Sequence, residues 1–161
     1  MFRVGLGYDQ HRFARGSGER PLMLGGVLVE GGRGLQGHSD ADVLLHAVCD
    51  AVLGALGLGD LGRHFPDSDP ALAGVSSRLL LEKVAAMMAD KGYRLINLDA
   101  VVIAEEPRIA PHVEGMRRVI AEALGAGHAE VNVKGTSPEG MGSLGRKDGI
   151  AAEAVVLLGK V

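Results

Sequence analysis

Aromatic side chains are nearly missing from this sequence, which has 3 Phe, 2 Tyr and no Trp in 161 residues. Runs rich in Lys and Arg are missing too, and 17 basic against 20 acidic residues leave a net charge of −3. A nucleic-acid surface needs a basic footprint and stacking platforms, so both shortages argue against one. Cys49 stands alone, which excludes a disulfide framework and fits a reducing compartment. No apolar run reaches the length of a membrane span, and the opening residues show neither a long apolar stretch nor an Arg/Ser-rich leader. The expectation is a cytoplasmic protein with no nucleic-acid or membrane partner. With 47% hydrophobic residues and few rings, Val, Leu, Ile, Ala and Met must fill the core of one domain spanning residues 1–161.

What is present alternates between two periods. Phe2 to Asp9 reads as a strand, and Pro21–Leu24 and Val27–Val29 flank Gly25-Gly26 as a hairpin. From Ser39 the apolar positions Val43, Leu44, Ala47, Val48, Ala51, Val52 and Ala55 recur at three and four, predicting a helix up to about Gly57. Ser39 followed by Asp42 resembles a capping box. Further helices are predicted over Ser77–Lys91, closed by Gly92, and from Pro111 to near Gly125. Leu95–Ala104, Val131–Lys134 and Ile150–Leu158 read as strands. This order gives an α/β or α+β layer fold. The strands over 95–104 and 150–158 are apolar on both faces, so both faces should be covered. Three helices suffice for one face, and the other is expected to meet a further subunit.

In an extended chain Asp9 and His11, two apart, project side by side, either as a hydrogen-bonded pair or as two ligands of one metal ion. His46 lies on the flank of the first helix with Asp42 and Asp50 four residues to either side, where a carboxylate could fix its tautomer. Two nitrogens and one oxygen suit tetrahedral zinc with the fourth position open. His38-Ser39-Asp40 precedes the helix, where an anion is favoured. Lys134 to Glu139 places a cation, a glycine, two hydroxyls and a carboxylate in six residues; a polar turn would read the same way, but the set could hold phosphate oxygens and a Mg²⁺.

Four motifs in order are more specific than any of these alone. They are Gly-Tyr-Asp-x-His from Gly7, His-Ser-Asp-x-Asp-Val-x-x-His-Ala from His38, Leu-Gly-Asp-Leu-Gly-x-x-Phe-Pro-Asp from Leu58, and Val-Asn-Val-Lys from Val131 followed by Glu139. Over Arg3 to about Leu158 the chain strongly resembles the 2-C-methyl-D-erythritol 2,4-cyclodiphosphate synthases of non-mevalonate isoprenoid biosynthesis. The resemblance implies a single ferredoxin-like α/β (α+β) domain, a small mixed sheet with helices on one face that trimerises through the other. It implies a lyase that converts 4-diphosphocytidyl-2-C-methyl-D-erythritol 2-phosphate to the cyclic diphosphate with release of CMP, at sites between subunits. Zn²⁺, one per subunit, is implied at Asp9, His11 and His46, and Mg²⁺ (or Mn²⁺) at Glu139. His38 and Ser39 match the flap at the 2-phosphate. Asp60, Leu61, Gly62, Phe65 and Asp67 match the loop around the methylerythritol, with Asp60 accepting from a hydroxyl. Ala104, Arg108, Ile109 and Ala110 match the cytosine pocket, and Thr136 and Ser137 the hydroxyls near the diphosphate.

Two departures from the family pattern are local. Gly135-Thr136-Ser137-Pro138-Glu139 stands where Ala-Thr-Thr-Thr-Glu is common, and Pro138 removes one backbone donor. Gly142-Ser143-Leu144-Gly145 replaces Gly-Phe-Thr-Gly at the three-fold axis, where the family can hold an isoprenoid diphosphate in an apolar cavity. Arg146 would face that diphosphate, and Glu153, the one charge in its strand, is expected near the axis beside Arg146. Two rival readings remain: a zinc-dependent phosphoester hydrolase using Asp40 or Asp42 as base, and a non-enzymatic trimeric ligand-binding protein.

Overall fold

A computed structural model describes residues 1–15 and 20–161. The elements run β1 (Phe2–Arg12), β2 (Leu22–Leu24), β3 (Val27–Val29), α1 (Val43–Leu56), α2 (Leu61–His64), α3 (Ser77–Asp90), β4 (Tyr93–Ile103), α4 (Val113–Leu124), β5 (Val131–Thr136), α5 (Gly142–Gly145) and β6 (Gly149–Lys160). The four long strands form one mixed sheet in the order β1-β6-β4-β5, antiparallel except for the parallel β4–β5 pair, and β2–β3 make a separate hairpin. The expected elements are all present, and each of the four sheet strands runs two or more residues beyond its announced apolar run at one end, while β2 and β3 do not lengthen.

The start of α1 differs from the expectation. Asp42, and not Ser39, is the N-cap, accepting from the Leu45 N–H at 3.0 Å. Its fully buried carboxylate also accepts from the Gly25 N–H (2.9 Å) and the Gly26 N–H (2.6 Å), which pins the β2–β3 hairpin to the helix. Ser39 cannot cap because the chain turns at Ala41, whose φ is +57°, and its hydroxyl accepts locally from the Ala41 N–H. Burial pushes the Asp42 carboxyl above its ordinary pKa, against the three N–H donors that stabilise its charge.

All three long helices lie on one side of the sheet. Leu98, Ala100, Val102, Ala152, Ala154, Val156 and Leu158 face them and are buried. α1 lies flush against β1 because Gly5 and Gly7 carry no side chain there; a Cβ on either would overlap the carbonyl oxygens of Ala51 and Ala47 respectively. The other side is bare. Phe2, Val4 and Leu6 are 66–69% exposed, and Tyr8 and Val155 nearly half exposed. Both faces are thus apolar, as the sequence implied, and the chain itself covers one.

Gly7→Ala should lower unfolding stability by about 1–3 kcal/mol, the usual cost of overpacking, because its methyl can be admitted only if α1 shifts. Urea denaturation checks this; wild-type stability would mean the approach is looser than described.

Candidate metal centre

The flush contact sets the first turn of α1 beside the last residues of β1 and brings His46, one residue before Ala47, over Asp9 and His11. Asp9 Oδ2 lies 2.9 Å from His11 Nε2 and 3.0 Å from His46 Nδ1, and the two ring nitrogens are 3.2 Å apart. The three side chains are only 12–25% exposed. Three ligand atoms at tetrahedral positions around zinc, with bonds of about 2.0–2.1 Å, would stand about 3.3 Å apart.

The outer ring atoms decide what the inner ones offer. His11 Nδ1 meets the Gln36 carbonyl at 2.7 Å, and a carbonyl only accepts, so Nδ1 carries a proton, and in the neutral ring Nε2 presents a lone pair. His46 Nε2 faces two hydroxyls, Ser77 Oγ at 2.9 Å and Ser39 Oγ at 3.1 Å. Two nitrogens and a carboxylate oxygen therefore converge on one point, an arrangement that needs a cation or a proton. Asp9, His11 and His46 could bind a metal ion.

Electrostatics agree. Burial raises the Asp9 pKa, but hydrogen bonds from His11 and His46 outweigh it and hold the carboxyl well below its ordinary range. Burial lowers the His11 pKa, but the hydrogen bond and charge of Asp9 outweigh that and raise it. The carboxylates expected to orient His46 do not do so. Asp42 is spent on the hairpin, and Asp50 accepts from the Leu61 N–H at 2.7 Å, with burial raising its pKa. Residues four away on a helix share a face, yet here each acid has a closer backbone donor.

A cleft of about 240 Å³ opens beside the trio and is walled in part by His38, Ser39, Leu61, Gly62, Phe65 and Asp67. Asp60 is not among its walls; it is exposed and caps α2 through the Arg63 N–H at 2.9 Å. Ala104, Arg108, Ile109, Ala110, Thr136 and Ser137 line a second cleft of about 250 Å³. Glu139 is exposed beyond it at φ +54°, its N–H donating to Ser137 Oγ at 2.9 Å. Glu105, which sequence reasoning passed over, holds this turn through the Gly140 N–H at 2.6 Å. Arg146 pairs with Asp148 at 3.6 Å, and among the described residues Glu153 forms no ion pair, so the Glu153–Arg146 contact does not exist within the chain. Glu153 instead stands exposed in mid-sheet between Tyr8 and Val101.

The two clefts belong to opposite sheet edges. In register, Asp9 pairs with Ala152, Ala152 with Val102, and Val102 with Gly135. Three strand spacings of about 4.8 Å separate Asp9 from Gly135 by about 14 Å.

The model of the YgbB family matches residues 2–159. A Geobacillus kaustophilus protein named 2-C-methyl-D-erythritol 2,4-cyclodiphosphate synthase is 54% identical over 99% of both chains. A Bacillus cereus (strain ATCC 10987 / NRS 248) protein of the same name is 52% identical over the same share. Among solved structures, the bifunctional IspDF of Campylobacter jejuni superimposes with a TM-score of 0.94 at 38% identity, over 100% of this chain and 43% of that one. The Plasmodium falciparum IspF CDP complex gives 0.85 at 32% identity, over 99% and 96%. The chain belongs to the YgbB family, as its motifs implied.

The metal-free protein should show a defined stability window. His11, with a raised folded pKa, stabilises fully below its unfolded value near 6.5 and loses this as pH rises through the folded value. Asp9, with a depressed folded pKa, stabilises above about 3.9 and loses this as pH falls through the folded value. The contribution of this pair to the stability of chelator-treated protein should therefore be greatest between about pH 4 and 6.5 and fall above it. With zinc present the alkaline side should instead gain, because the metal requires deprotonated ligands. Denaturation across pH with and without chelator checks both slopes.

Proposed function

We propose that this protein is a 2-C-methyl-D-erythritol 2,4-cyclodiphosphate synthase. It converts 4-diphosphocytidyl-2-C-methyl-D-erythritol 2-phosphate to 2-C-methyl-D-erythritol 2,4-cyclodiphosphate and CMP in non-mevalonate isoprenoid precursor biosynthesis, in the cytoplasm. The observation that carries this reading is the convergence of Asp9, His11 and His46 beside a cleft walled by the family's motif residues. A 2-phosphate oxygen attacks the β-phosphorus while the bond from that phosphorus to the oxygen shared with the α-phosphate breaks. CMP leaves with that oxygen, so no protein nucleophile is needed. Asp9, His11 and His46 would hold Zn²⁺ and Glu139 a Mg²⁺; bound there, the ions supply Lewis-acid charge neutralisation and a template for phosphate oxygens. His38 and Ser39 donate to the 2-phosphate, and Asp60 accepts from a substrate hydroxyl. Leu61, Gly62, Phe65 and Asp67 shape the wall around the methylerythritol. Backbone groups at Ala104, Arg108, Ile109 and Ala110 read the cytosine, and Thr136 and Ser137 donate to the diphosphate. Holding a flexible, charged chain folded on itself is the main catalytic contribution asked of these groups.

Asp40 and Asp42, the bases a hydrolase would use, are both turned elsewhere. Asp42 accepts three backbone N–H groups, and Asp40 accepts from Ser77. Incubation with the diphosphocytidyl substrate should give CMP and cyclic product, abolished by chelator. Linear hydrolysis products would overturn the reading. Glu139→Gln should keep stoichiometric zinc and lose most CMP release; near wild-type turnover at limiting Mg²⁺ would remove Glu139 from the site.

The assembly belongs to the same reading. One substrate must touch both kinds of cleft, whose sheet edges lie about 14 Å apart within the chain, and a homotrimer would let a cleft of one kind meet the other kind from a neighbouring copy. The exposed Phe2, Val4, Leu6, Tyr8 and Val155 supply the apolar face for it. On the axis, Ser143 in place of an aromatic leaves a poorer wall for an isoprenoid diphosphate facing Arg146. Sedimentation equilibrium should give a trimer; a stable monomer at micromolar concentration would refute the shared site.

A further inference from the structure

Ser77 lies outside every motif that announced the site, yet it touches the least exposed ligand and ties that ligand to Asp40 of the His38 motif. Ser77 opens α3, is fully buried, and places Oγ 2.9 Å from His46 Nε2. The same hydroxyl donates to Asp40 Oδ1. Asp40 is itself fixed by the Ser77 N–H on Oδ2 (3.0 Å), the Asp42 N–H on Oδ1 (3.2 Å) and its own N–H on the Val75 carbonyl (2.9 Å).

The proton count along this chain has one solution. A carboxylate accepts only, so the single Ser77 proton points to Asp40 and the Ser77 lone pair points to His46. His46 Nε2 must then carry a ring proton, and in the neutral ring that a metal requires Nδ1 is left as the ligating atom toward Asp9 and His11. We propose that Ser77, held by Asp40, is a positioning residue that fixes the tautomer and ring orientation of the metal ligand His46. The proposal rests on the metal reading of the trio, not on the reaction.

Ser39 duplicates the contact with a difference. Its hydroxyl reaches His46 Nε2 at 3.1 Å but sits in the segment beside the cleft that the proposed function assigns to substrate. Ser77 sits on a helix packed against α1 and has no place in the cleft wall. The ring therefore stays oriented when Ser39 turns to a phosphate, because the second hydroxyl does not move with it.

Ser77→Thr and Ser77→Val have the same shape and differ in the hydroxyl, and Ser77→Ala adds no bulk should valine prevent folding. Zinc affinity is measured by chelator competition on the full chain without substrate, with circular dichroism as the folding control. The expected result is a 10–100-fold loss of zinc affinity in the valine and alanine variants, the usual effect of removing an outer partner of a ligating histidine. Ser77→Thr should bind within a few-fold of wild type, and Ser39→Ala should lose less than Ser77→Ala. In ¹⁵N-labelled wild type loaded with zinc, His46 should show a protonated Nε2 that the alanine variant exchanges faster. Unchanged zinc affinity in Ser77→Ala, or threonine as weak as valine, would overturn the proposal. Because no turnover is involved, a failure to release CMP from the diphosphocytidyl substrate would count against the function alone.

Discussion

The site depends on how closely one helix can lie on one strand. Side chains normally hold a helix off the backbone of a sheet, and Gly5 and Gly7 remove them along the line where α1 crosses β1. Alanines on the helix, Ala47, Ala51 and Ala55, complete the contact. Only at that separation can a histidine on α1 share a carboxylate oxygen with a histidine two residues along from it on β1. The outer ring atoms are then taken up by groups with no choice of role: a carbonyl for His11, and a hydroxyl already committed to Asp40 for His46. Packing sets the distance, and hydrogen bonding sets the protonation.

Much of this was legible in the chain. Period-two and period-three/four patterns give the elements, and Asp9 with His11 is readable because strand geometry forces i and i+2 to one side. His46 was readable as a ligand only together with that pair. Its orienting partner was not. Asp42 and Asp50 stand at the right helical spacing, but a carboxylate goes to the strongest donors within reach, and Gly25, Gly26, Leu45 and Leu61 N–H groups lie nearer. Ser77 is 31 residues from His46, and in sequence a serine pair before an apolar helix signals a cap and nothing more. Glu105, likewise, is an ordinary loop acid until the fold sets it under the Ser137–Gly140 turn. Glu153, the one charge of a strand apolar on both faces, stands within the chain on the open face of the sheet.

The same sheet separates two chemistries. Its β1 edge gathers two imidazoles and a carboxylate that could bind a metal ion; its β5 edge gathers hydroxyls, backbone groups and a carboxylate around a second cleft. Between them lie β6 and β4, whose helix side is packed solid and whose other side is bare.

That bare side also governs the order in which the molecule can be completed. Phe2 pairs with Gly159 and Arg12 with Gly149, so the first strand made waits for the last. At about 5–20 residues per second of synthesis the wait is roughly 7–30 s. For that interval β1 has one nearby partner, α1, which can settle on Gly5 and Gly7 as soon as it emerges and shield one face. The other face, with Phe2, Val4 and Leu6, has no shield from its own chain at any stage. The nascent protein thus exposes its most adhesive surface from the moment β1 is made.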